Sequence, residues 1–341
     1  MKTTGLRRVA IAFGALICAS LPAFGSTILF ACNGNVDTAH GGTCATLNTT
    51  IAGLYSTTFT NANASIYLQM GNTGLGSSLQ YYDTQTYANY YAALAAHESG
   101  INDATAVGSL GGGVTNPVNA GDGVALPSAL AAALGLPGGT GIDLANNPCV
   151  LGTGGCYNGI ITISDTAPLN YRDSSLLANQ YDFYAVVEHE VNEILGTSSC
   201  IATVSSAPGL SANCGNGGNG VAAADLFRYS APGVRSYISQ GNGTSAYFSI
   251  NGGVTNIAGY NNTPNGADYG DWDSASLRIQ NAFGDPGVSA GDITTDGRSE
   301  IMVLDAVGYN LEAVPEPGTV ALFSSGLVLL AFASRRRARQ A

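Results

Sequence analysis

Six of the seven cysteines, those beyond Cys18, fall in three pairs close along the chain and constrain the fold of this sequence more than any other feature. They are Cys32 with Cys44, Cys149 with Cys156, and Cys200 with Cys214. Six cysteines allow fifteen connectivities, but short loops close at the lowest entropic cost. The expected bridges are therefore Cys32–Cys44, Cys149–Cys156 and Cys200–Cys214. No C-x-x-C pair is present, which disfavours zinc held by cysteine.

Disulfides imply an oxidising compartment, and the N-terminus agrees. Lys2, Arg7 and Arg8 precede an apolar run from Val9 to Leu21, and Ala23 and Gly25 supply small residues before Ser26. Thirteen residues are too few to span a bilayer stably, so residues 1–25 read as a cleaved signal peptide. A lipoprotein reading through Cys18 fits poorly, because Ile17 stands where a small residue is needed. The C-terminus reads VPEPGTVALFSSGLVLLAFASRRRARQA. A Pro-Glu-Pro turn leads into an apolar stretch from Val320 to Ala333, followed by Arg335, Arg336, Arg337 and Arg339. That order is a stop-transfer pattern with its basic end on the cytoplasmic side. Residues 314–341 resemble the PEP-CTERM sorting tail of Gram-negative bacteria. The resemblance implies processing by an exosortase after transient anchoring in the inner membrane as a transmembrane helix, with the mature protein in the cell envelope or outside the cell. An ordinary single-pass anchor is the other reading.

Between Ser26 and Val314 the chain has five arginines, no lysine and 22 acidic residues, a net charge of −17. Such a body repels nucleic acid and anionic lipid, which argues against both as partners and leaves the tail as the membrane contact. Residues 26–313 suffice for one domain with a large core. Helical patterns are expected over Thr43–Tyr55, Thr86–His97, Pro127–Leu134 and Ser299–Val307. Strands are expected over Ala64–Met70 and Tyr157–Ser164. Gly108–Gly123 reads as a glycine-rich loop. Asn251-Gly252-Gly253 between Ala246–Ile250 and Val254–Ile257 is a hairpin signal. The strongest helix spans about 174–195, with Asp173 or Ser174 as cap and Gly196 as stop. Helices and strands mix without βα alternation, so the class is α+β.

That helix contains Glu188-His189-Glu190-Val191-Asn192-Glu193. Zinc peptidases use H-E-x-x-H because residues four apart share a helical face. A carboxylate at the second position remains a competent ligand. His189 and Glu193 are thus candidate ligands, and Glu190 is the candidate general base for a metal-activated water. On a helical wheel, Leu177, Tyr181, Tyr184, Val187, Val191, Ile194 and Leu195 form an apolar face opposite His189 and Glu193. The pattern fits a site facing a cleft, and equally an ordinary solvated face.

The segment EHEVNEILG resembles the HExxE version of the metzincin active helix, with Gly196 at the turning position and Ser199 where a third histidine usually stands. The wider chain resembles a family of PEP-CTERM-bearing metalloproteases. Its marks are ADLFRYSAPGVRSY (224–237), AYFSINGGVTNIAGYN (246–261), DYGDW (268–272) and EIMVLDAVGYNL (300–311). The resemblance implies a single metzincin-like catalytic domain that cleaves a protein or peptide substrate with a divalent metal, zinc by analogy. A donor set of one histidine and carboxylates also suits manganese, iron or calcium. The third ligand must come from elsewhere. Asp225 is the first choice, and His97 and His40 are the others. Met302 reads as core packing rather than a floor beneath the metal. Asp268, Asp271 and Asp273, like Asp292 and Asp296, are candidates for structural calcium or plain surface acids. The alternative function is a non-catalytic surface or matrix protein that keeps a degenerate form of the fold.

Overall fold

Strand-forming runs rich in isoleucine and leucine make the central sheet, and a helix laid across it carries the candidate site. The computed structural model describes residues 26–201, 214, 220–237, 245–263 and 268–312. The expected signal peptide over residues 1–25 and the sorting tail, with the apolar helix expected in it, lie outside the described residues. Among those described, no helix is long and apolar enough to cross a membrane.

Four strands lie side by side in the order Thr27–Cys32, Asn63–Gly71, Gly159–Ser164, Gly76–Gln80. The first three are parallel, and Gly76–Gln80 runs antiparallel against Gly159–Ser164. Ile66, Leu68, Ile161 and Ile163 are fully buried, as expected where helices cover a parallel sheet. Gly76–Gln80 alternates exposed and half-buried residues, the pattern of an edge strand. A second sheet, in the order Val234–Arg235, Arg228–Ala231, Tyr247–Phe248, Ala258–Gly259, is antiparallel. It gathers the ADLFRYS, AYFSINGG and NIAGYN blocks. The mixed α+β class therefore stands.

The three expected disulfides are formed, Cys32–Cys44, Cys149–Cys156 and Cys200–Cys214. Several boundaries moved. The helix expected over Thr43–Tyr55 is two helices, Thr43–Thr49 and Ile51–Thr58. The glycine-rich loop is preceded by a helix, Ile101–Leu110, which includes Gly108. The hairpin around Asn251 pairs only Tyr247–Phe248 with Ala258–Gly259. The intervening residues instead form a loop in which Asn251 Oδ1 accepts from Thr255 N and Ser249 Oγ. The remaining helices, Tyr87–Ala96, Ser128–Ala133 and Ser299–Val307, lie where expected.

The site helix is shorter than 174–195. It runs Phe183–Asn192 and widens into a π turn over Glu193–Thr197. Its cap is Asp182, which accepts from Tyr184 N and Ala185 N. Arg172 Nε, at 2.9 Å from both carboxylate oxygens, and the Ser289 hydroxyl hold that cap. Residues 174–180 lie outside the helix, and Leu177 is 59% exposed, so the apolar face starts later than the wheel suggested. Gly196 does end the helix, at a φ of 131° that disfavours any side chain. Gly159, on the strand beneath, lets Ile194 sit where a Cβ would be.

Helix Ser299–Val307 packs near Ile101–Leu110, and there Asp305 (3% exposed) faces Asp103. Asp103 Oδ2 caps its own helix through Ser99 N and Gly100 N. Burial, then the neighbouring Asp103, push Asp305 up to about 8 from 3.8. Between those values the folded chain binds a proton that the unfolded chain does not. The contribution of Asp305 to stability therefore falls as pH rises from 3.8 to about 8 and is flat beyond. Asp305→Asn should stabilise the protein by roughly 1–3 kcal/mol at pH above 8, and by less at pH 5. Thermal unfolding of the two proteins at both pH values checks this.

Candidate metal centre

Residues four apart on Phe183–Asn192 and its continuation place His189 and Glu193 on one face. His189 Nε2 lies 3.8 Å from Glu193 Oε1 and 3.6 Å from Asp271 Oδ1. One ligand atom from each of His189, Glu193 and Asp271 lies within 4.8 Å of the other two. His189 Nδ1 faces the Ile279 carbonyl at 3.0 Å. A carbonyl only accepts, so Nδ1 carries a proton in either charge state, and Nε2 is the atom turned to the carboxylates. Ser78 Oγ donates to Glu193 Oε2 at 2.6 Å, and Gln280 Nε2 donates to Asp271 Oδ1 at 3.0 Å. His189 and Glu193 are thus each held through the atom turned away from the other, and Asp271 is held at Oδ1 itself, the kind of outer support that orients metal ligands.

The electrostatics point the same way. Burial opposes a charged His189, yet Asp271, Glu193 and Glu190 outweigh it and hold the imidazole well above its usual pKa. Burial, then Glu193, push Glu190 well above the usual carboxylate value. Burial also raises Asp271. Burial opposes ionised Glu193 too, but its bonds to His189 and Ser78 win and lower it. Three acidic groups crowd one imidazole, and a divalent cation among them would relieve the repulsion. The donor set of one nitrogen and two carboxylates fits a divalent transition metal such as zinc.

The centre lies in a cleft of about 790 Å³. Gly76 and Ser78 of the edge strand line it, together with Leu277, Phe283 and Val288. Glu190, 5% exposed, also lines it. A Cβ at Gly76 would strike Glu190 Oε1 and Val186 Cγ1. Glycine there lets the edge strand close on the helix and fixes the Glu190 carboxyl between the strand and the ligands.

His189, Glu190 and Glu193 all line this cleft, whereas Asp225 does not join them. Asp225 is 2% exposed and fully engaged elsewhere. Its Oδ1 accepts from Ser199 Oγ at 2.5 Å, and its Oδ2 accepts from Cys200 N and Ala222 N, each at 2.9 Å. It ties the turn after the site helix to the 3₁₀ turn Ala224–Phe227. His97 Nδ1 faces the carbonyl of Ala93 on its own helix at 2.8 Å. His40 pairs with Asp173 and stacks on Tyr171 at 4.3 Å. Met302 packs against the core. Asp292 Oδ1 accepts from Thr294 and Thr295 of its own loop, and Asp296 Oδ2 from Ile279 N. Asp273 caps Ala275, and Asp268 lines the cleft.

The third converging group is Asp271 of the DYGDW block, read from the sequence as a structural-calcium candidate or a plain surface acid. Its loop is anchored from a distance. Buried Arg228 donates to Tyr269 O at 2.6 Å and stacks on Tyr260 at 4.3 Å. Gly270 lies so close to Thr197–Ser199 that a Cβ would sit 2.8 Å from Ser199 N. Arg228 belongs to the ADLFRYS block and Tyr260 to NIAGYN, and nothing in either pattern marks Asp271 as a ligand.

Residues 313–337 match the PEP-CTERM protein-sorting motif. No curated protein and no solved structure matches the chain. The motif is a C-terminal sorting signal of the kind recognised by exosortases, and it marks the chain as an exported protein, which is consistent with the cell envelope and with its three disulfides.

Proposed function

We propose that the mature chain is an exported metal-dependent endopeptidase, with His189, Glu193 and Asp271 as the ligands of one divalent ion. The observation that carries this reading is the convergence of those three donors at a cleft beside an open edge strand. The signal segment, removed by signal peptidase, and the tail, removed by exosortase, deliver the body to the envelope or beyond.

When bound, a divalent ion in this position supplies Lewis acidity toward a carbonyl oxygen and toward water. Gly76–Gln80 offers main-chain groups along its free edge to an extended peptide, which adds as a further strand. That pose draws a peptide carbonyl along the wall on which Glu190 sits. Glu190 then takes the proton of the attacking water and returns it to the departing amine nitrogen. The close approach of Gly76 keeps its carboxyl from swinging away. A metzincin-like fold is in keeping with a mostly parallel sheet, an antiparallel edge strand and a site helix stopped by glycine.

The near-complete burial of Glu190 favours a second reading, a non-catalytic matrix or surface protein with structural metal. Chelation separates the two. The mature protein should hydrolyse casein, lose that activity in a strong chelator, and regain it with zinc or manganese. Full metal occupancy with no hydrolysis would support the second reading.

A further inference from the structure

Glu300 opens the last helix, Ser299–Val307, and is completely buried at 0% exposure. Among the described residues it forms no ion pair. A carboxyl group so placed costs folding energy that leucine or methionine would not. Its partners explain where that cost is recovered. Glu300 Oε1 accepts from Trp272 Nε1 at 2.7 Å and from Gln280 N at 3.1 Å, and Oε2 accepts from Ser299 Oγ at 2.9 Å.

Both distant partners adjoin the candidate ligands. Trp272 follows Asp271 in the chain. Gln280 donates its side-chain amide to Asp271 Oδ1 at 3.0 Å. Ile279, the residue before it, accepts the Nδ1 proton of His189 at 3.0 Å. The two segments are also bonded to each other, Trp272 N to Gln280 O at 2.8 Å and Ala282 N to Trp272 O at 3.1 Å. Glu300, with its neighbour Asp296, whose Oδ2 accepts from Ile279 N at 2.9 Å, therefore clamps the pair of segments that present Asp271 and orient His189, two donors 82 positions apart in the sequence.

We propose that Glu300 is a positioning residue of the metal centre, holding Asp271 and the His189 imidazole at chelating separation through Trp272, Gln280 and Ile279. The proposal rests on the metal reading above. It gives the EIMVLD block a role that its helical, apolar pattern conceals. Glu300 touches neither metal nor substrate and acts through the residues it holds.

The test compares Glu300→Ala, Glu300→Gln and Gln280→Ala in the mature protein by competition for zinc against a chromophoric chelator. The visible spectrum of the cobalt form and the unfolding temperature of the metal-free form are read alongside. Glutamine keeps an acceptor for Trp272 and Gln280, and alanine does not. Glu300→Ala should weaken zinc binding by about 10–100-fold and alter the cobalt spectrum, while Glu300→Gln stays within about threefold of wild type. Gln280→Ala, which leaves the Glu300 clamp in place, should weaken binding by about tenfold with little change in metal-free unfolding. Unchanged zinc affinity and an unchanged cobalt spectrum in Glu300→Ala overturn the proposal. If Glu300→Ala does not fold, Trp272→Phe, which removes the indole donor to Glu300, takes its place, and unchanged zinc affinity with an unchanged cobalt spectrum in that variant overturns the proposal. A wild type that binds no zinc overturns the metal reading itself, and is told apart because the parent protein fails.

Discussion

Glu190→Gln is expected to lower kcat/KM on a casein-type substrate by about 10²–10⁴-fold, the range for losing a general base, while bound metal stays at the wild-type level. The substitution is nearly isosteric. It also removes a carboxyl group whose charged form is already disfavoured, first by burial and then by Glu193. The fold should therefore survive, and the unfolding temperature should hold or rise. The loss should fall on kcat more than on KM, because in the proposed pose the edge strand and the cleft walls hold the peptide, not Glu190. Steady-state kinetics of the two proteins, with metal content measured on the same samples, checks both halves. A Glu190→Gln protein as active as wild type would remove Glu190 from the mechanism.

Asp271→Asn and Asp225→Asn should separate ligand from scaffold. At Asp271 the amide keeps the size of the side chain and still accepts from Gln280. It loses the charge that balances a dication, so zinc affinity should fall by more than about 100-fold, beyond the cost of losing an outer support. Metal-free stability should change little. At Asp225 the effect should invert. The buried carboxylate satisfies Ser199 Oγ, Cys200 N and Ala222 N together. An amide oxygen can replace only one carboxylate oxygen, leaving a buried donor unpaired at a cost of about 1–3 kcal/mol. Zinc titration and thermal unfolding of the two variants read the two effects independently.

The contrast between these aspartates shows what was legible in the sequence. The His189–Glu193 pair could be read because helical spacing alone puts residues four apart on one face. The disulfides could be read because each closes a short loop. Asp225 had the right chemistry for a ligand, but its role is set by backbone donors of Cys200 and Ala222, and sequence does not reveal which N–H groups lack partners. Asp271 sits in a loop with no periodic pattern. Its place depends on Arg228, Trp272 and Glu300, which meet only in the folded chain. The start of the site helix failed for a related reason. Leu177 and Tyr181 continue the apolar period, but Asp182 ends it as a cap held by Arg172 and by Ser289, 107 residues away. Interactions within a turn or two of helix left a readable trace, whereas those spanning the chain did not.

The most direct test of the central claim, that His189, Glu193 and Asp271 are one metal centre, is the metal content of the purified mature protein beside Asp271→Asn. Both would be measured after dialysis against metal-free buffer. One divalent ion per wild-type chain and almost none in the variant is the expected result. A wild type without metal, or an Asp271→Asn protein that retains a full complement, would contradict it.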